Sequence, residues 1–145
     1  MKDGEEMKLD HLFQLNKDWL GYLASPYTAQ SKELMHRRYE AITDLAAKLF
    51  KAGMILICPI TQSVAIVEKS KTLKSCWNTW KRVDLEFVNR CDFVIVADFP
   101  GWDRSVGVLA ELEYAASKGK HIVHLTEDDP IIEHLIGKYK LNEDL

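Results

Sequence analysis

Four short apolar runs punctuate this chain: Trp19–Ala24 (WLGYLA), Met54–Cys58 (MILIC), Asp92–Ala97 (DFVIVA) and His121–Leu125 (HIVHL). Segments of helical length and periodicity separate them. Strands that alternate with helices of roughly ten to twenty residues imply right-handed βαβ crossovers and a mainly parallel sheet. The expected architecture is a three-layer α/β fold, with four to five strands and helices on both faces. Ligands of such sheets bind beyond the carboxyl ends of the strands. Here those ends are the loops at Ser25–Thr28, Pro59–Gln62, Asp98–Arg104 and Thr126–Asp129.

The topology expected is flavodoxin-like or Rossmann-like. Between Gln30 and about Ala52, Leu34, Ala41, Leu45, Leu49 and Ala52 recur at helical spacings, and Gly53 ends the helix. The fully apolar run at 54–58 suits a strand covered on both faces, terminated by Pro59. Residues 60–73, with Ser70-Lys71-Thr72, read as a mobile connection. Helices are expected from Ser75 to Arg90, from a Ser105 cap to about Lys118, and from Pro130 to Tyr139. Gly119 closes the second of these, and residues 1–17 read as a polar lead-in.

A length of 145 residues fits one domain, 1–145. The chain is 47% hydrophobic and 28% charged, as in an ordinary globular protein. A net charge of -3 offers no field to attract a nucleic-acid polymer or an anionic membrane. No run approaches the ~20 apolar residues of a membrane span. The charged start MKDGEEMKLDH has no signal-peptide core. Three cysteines without a CxxC pair suit a reducing compartment, with Cys58 and Cys91 as small core residues. These features together point to the cytoplasm.

Several residues fit neither core nor surface. Asp84 lies within an apolar stripe of Trp77, Trp80, Phe87, Val88 and Cys91. Burying an unpaired carboxylate is costly, so it is either paired with Arg82, Arg38 or a backbone amide, or it faces a pocket, and the second reading is slightly favoured. Glu111 sits at the edge of the face formed by Val108, Leu112, Ala115 and Ala116. On spacing alone it reads more simply as an exposed helix-edge glutamate. Near the helix start, however, the macrodipole would favour its ionised form and make it a plausible nucleophile. Glu113 falls toward solvent. Ser25-Pro26-Tyr27, directly after the first strand, is as consistent with a site loop as with an ordinary turn. Trp102 could stack on a nucleobase, whereas Trp77 and Trp80 read as packing residues.

Other chemistry is not supported. His121 and His124 point to opposite faces of a strand and make no metal pair. Gly119-Lys120 is not a P-loop, and neither GxGxxG after the first strand nor a GxSxG elbow occurs. Neither a metal nor a cofactor is expected.

The run Gly21-Tyr22-Leu23-Ala24-Ser25-Pro26-Tyr27, then Asp84 eight residues before Asp92, then Ser105-Val106-Gly107 ahead of Glu111 and Tyr114-Ala115, resembles the nucleoside 2-deoxyribosyltransferase-like superfamily, within it a small bacterial branch. The resemblance covers roughly residues 19–125. It implies that Glu111 attacks the anomeric carbon, that Tyr22 orients Glu111, and that Asp84 contacts the base and helps protonate it. Gly107, Arg104 and the Ser25-Pro26-Tyr27 turn are the further candidates for holding the substrate, although that turn departs from the glycine-rich loop of the related nucleotide hydrolases. Where the transferases carry a sugar-binding aspartate, this chain has Ser105. The related 2'-deoxynucleoside 5'-monophosphate N-hydrolases carry a serine there that contacts the 5'-phosphate. A helix N-terminus with Arg104 beside it suits that role.

The resemblance thus implies cleavage of the N-glycosidic bond of a nucleotide or nucleoside, by hydrolysis rather than base exchange. The alternative is a non-catalytic nucleotide or nucleotide-sugar binding protein, and a third possibility is an assembly protein. Relatives often complete their pockets with a neighbour's residues, which implies a homo-oligomer.

Overall fold

The computed structural model describes residues 9 and 18–139 of the chain. The expected lead-in at 1–17 lies outside these residues, apart from Leu9, which is buried in the core. Among these residues the sheet has four parallel strands, β1 (Leu20–Ala24), β2 (Ile55–Ile57), β3 (Phe93–Ala97) and β4 (His121–Leu125), in the order β2-β1-β3-β4. Five helices surround it among the described residues: α1 (Lys32–Lys51), α2 (Pro59–Lys69), α3 (Trp77–Arg90), α4 (Val106–Ser117) and α5 (Pro130–Tyr139). This is the expected three-layer α/β fold of flavodoxin-like or Rossmann-like type.

The central pair β1–β3 organises the sheet. The Asp92 carboxylate accepts from the Leu20 amide at 2.8 Å, and the Asp92 amide donates to the Leu20 carbonyl at 2.7 Å. Gly21 is required here: a Cβ at that position would lie 2.6 Å from the Phe93 ring on the neighbouring strand. The glycine that weakens β1 as a strand sequence is what lets β3 pack against it.

Alternation along the strands then divides the core. Leu23, Ile95 and Ala97 face a cluster with Ile42, Leu45 and Leu49 of α1 and Ile132 and Leu135 of α5. Tyr22, Ala24, Val94 and Val96 face the other way, toward Val88 of α3 and Val108 and Ala115 of α4. Strand geometry thus places the Tyr22 ring on the same side as α4. At the head of α1, Ser31 caps the helix by accepting from the Leu34 amide at 3.1 Å.

Three local expectations are corrected. Residues 60–73 are not all connection, because Pro59 begins α2 instead of merely ending β2. Proline suits a first helical position, where its missing N–H is not needed, and Pro59 and Val64 are buried by the packing of this helix. Second, β2 is an edge strand of three residues whose covering is incomplete: Leu56 is buried on one face and Ile57 packs on the other, but Ile55 is 47% exposed. Third, Ala116 is exposed; the buried stripe of α4 is Val108, Glu111 and Ala115. No helix among the described residues is long and apolar enough to cross a membrane.

Candidate functional site

The chain leaves β1 to one side to form β2 and returns to the other side to form β3. The crevice at that reversal, beyond the carboxyl ends of β1 and β3, is where open α/β sheets hold ligands. A cavity of about 480 Å³ lies there, within the range of small-molecule sites. Its walls include Tyr22, Ser25 and Tyr27 from β1 and its loop, Asp84 from α3, and Arg104, Ser105, Gly107 and Glu111 from the head of α4.

Glu111 is not the exposed edge residue that spacing favours. It is 6% exposed, and the hydroxyl of the fully buried Tyr22 donates to it. Burial pushes its carboxyl up to about 8. The expected lowering by the helix macrodipole does not occur, since that effect fades beyond the first turn and Glu111 is the sixth residue of α4. The Tyr22 hydrogen bond favours the anion, but desolvation dominates. At pH 7 the resting carboxyl is therefore mostly neutral.

Asp84 lines the same cavity, and burial raises its carboxyl to about 6. None of the partners weighed for it is engaged among the described residues: Arg38 donates to backbone carbonyls elsewhere. Two carboxyl groups of different acidity thus face one space. Ser105 is the N-cap of α4, its Oγ accepting from the Val108 amide at 3.2 Å.

Ser25 is buried, and its Oγ has no hydrogen-bond partner among the described residues. An unpaired buried hydroxyl destabilises by about 1–3 kcal/mol. Ser25→Ala is therefore expected to raise the melting temperature by a few degrees, while weakening whatever ligand supplies the missing bond. A calorimetric melt that falls on this substitution would show that the hydroxyl already serves the fold.

Two sequence candidates lie outside the cavity wall. Pro26 is buried but does not line the cavity. Trp102 is not placed to stack on a bound base. Its ring meets His124 edge-on at 4.9 Å and packs against the second core cluster, while His124 Nδ1 lies 2.6 Å from an Asp98 carboxylate oxygen. Conversely, Trp77 and Trp80, expected as packing residues, are only partly buried and line the cavity. Trp77 lies over Gly107, where a Cβ would stand 3.3 Å from the indole. Among the described residues no group of side chains could hold a metal ion.

The family described as Domain of unknown function (DUF1937) matches residues 20–127, which span every strand and the whole cavity wall. The chain belongs to this family. Among curated proteins none matches it.

Proposed function

We propose that this member of the DUF1937 family cleaves the N-glycosidic bond of a (deoxy)nucleoside 5'-monophosphate or nucleoside in the cytoplasm, and that it does so by hydrolysis rather than base exchange. The observation that carries the reading is the buried pair of Glu111 and Tyr22 sharing one cavity with Asp84.

The chemistry follows from the two carboxyl groups. Ionised Glu111 attacks the anomeric carbon as the carbon–nitrogen bond breaks, and the bonding electrons leave with the base. Asp84 gives its proton to the departing base nitrogen. Water then attacks the glycosyl–Glu111 ester, returns a proton to Asp84 and frees the glutamate, as in a retaining glycosidase. Tyr22 holds the Glu111 carboxylate in line. Ser105, Gly107 and Arg104 face the substrate at the head of α4, where a phosphate is favoured; Ser25 and Tyr27 form the opposite wall.

Purified protein incubated with a panel of deoxynucleoside monophosphates and nucleosides should release free base, detected chromatographically. The reading fails if none is turned over. The neutral resting state of Glu111 favours a second reading, a pocket that only binds a nucleotide or nucleotide-sugar through that proton. Ligand-induced thermal stabilisation without turnover would identify it.

We also propose that the chain assembles as a homo-oligomer. Val106 and Leu109 of α4 are 69% and 45% exposed beside the cavity, which supports this. Light scattering should return at least twice the chain mass of 16.7 kDa; a monomer at micromolar concentration would refute it.

A further inference from the structure

Arg38 stands two turns into α1, outside the cavity wall, yet it touches both loops that frame the cavity. Its Nη1 donates to the Thr28 carbonyl at 3.0 Å and to the Tyr27 carbonyl at 3.5 Å. Its Nη2 donates to the Pro100 carbonyl at 3.3 Å. Tyr27 and Thr28 line the cavity after β1. From Pro100 the chain runs through the 3-10 turn Trp102–Arg104 into Arg104 and Ser105, which line it after β3.

The loop after β3 is shaped to admit this side chain. Gly101 has φ +96, a conformation that favours glycine, and a Cβ there would lie 2.5 Å from Arg38 Nη2. Arg38 Nε is buried and has no partner among the described residues. The guanidinium therefore tolerates an unpaired donor in order to keep its two terminal nitrogens on separate loops.

We propose that Arg38 is a positioning residue that fixes the Tyr27–Thr28 wall against the Arg104–Ser105 wall. A guanidinium spans two loops because its donors diverge in a rigid fork. A lysine at this position presents one shorter point charge and reaches one loop at a time. The two walls belong to different βα units, so the width of the crevice is set by this bridge and by the β1–β3 pairing beneath it. Ligand affinity follows that width, whereas chemistry at Glu111 depends on Tyr22, which the bridge does not touch.

Limited proteolysis read by mass spectrometry on the full chain tests the bridge without any ligand. In Arg38→Lys and Arg38→Met, chymotryptic cleavage after Tyr27 and tryptic cleavage after Arg104 should both become at least about tenfold faster, with the buried half of α1 uncut. Gly101→Ala, which displaces the guanidinium from the opposite loop, should loosen 27–30 as well. Loosening of one loop alone in the Arg38 variants overturns the proposal. If Gly101→Ala does not fold, the two Arg38 variants decide by that same criterion.

A second arm rests on the proposed activity. Arg38→Lys should raise KM about tenfold and change kcat less than threefold, and an equal loss in kcat alone counts against positioning. Absence of turnover in the wild type defeats the proposed activity and leaves the proteolysis result to judge the bridge.

Discussion

Glu111→Gln is expected to lower base release at least about a thousandfold, because the amide cannot capture the anomeric carbon. The same substitution should make the protein more resistant to alkali. The folded carboxyl sits at about 8, against an ordinary value of 4.5. A raised carboxyl value means that the folded state holds the proton more tightly than the unfolded chain. Its contribution to stability is complete below the ordinary value and is lost as pH rises through about 8. At about 1.4 kcal/mol per unit, the wild type gives up roughly 3–5 kcal/mol across that window. The amide introduced by Glu111→Gln does not titrate, is nearly isosteric with the carboxyl and can still accept from Tyr22. Melts at pH 5 and pH 8.5 should therefore show a drop larger by roughly 10 °C in the wild type than in the variant. Parallel curves would mean that burial does not hold the proton on Glu111.

The second large effect concerns pH and rate. The proposed reaction needs Asp84 protonated and Glu111 ionised, the reverse of their resting order at about 6 and about 8. Treated as independent groups, each is in its reactive form about a tenth of the time at pH 7, so on the order of one molecule in a hundred is poised. The kcat/KM profile should be a broad bell centred near pH 7, with bends near 6 and 8. Asp84→Asn removes one of the two groups and identifies which limb belonged to it. If Glu111 is the nucleophile, the variant loses the alkaline limb and rises to a plateau above about 8. If the variant instead loses the acid limb and falls above 8, Glu111 works as the acid and the roles assigned to the two carboxyls are reversed.

The layering of this fold can be read from local pattern, because each strand run and each helical stripe is written in consecutive residues. Asp84 was legible for the same reason: a carboxylate within an apolar stripe contradicts its own neighbourhood. Glu111 was not legible in that way. Its burial depends on Tyr22, 89 residues away, which reaches α4 only because β1 presents alternate side chains to alternate faces. Pro59 misleads because one residue type both ends strands and begins helices, and only the packing of Val64 decides between them. Trp102 resembles a ligand platform while its partner, His124, is unseen. Arg38 is locally indistinguishable from Arg37; its role exists only where two distant loops pass the same helix.

The largely exposed stretch 70–76, between α2 and α3, divides the molecule in a way the sheet does not. Before it lie β1, α1, β2 and α2, carrying Tyr22, Ser25 and Arg38; after it lie α3, β3, α4, β4 and α5, carrying Asp84, Ser105 and Glu111. Neither half owns a complete site. The central β1–β3 ladder is also the seam between them, so a nascent chain released before β3 carries the Tyr22 hydroxyl without the Glu111 carboxylate that receives it.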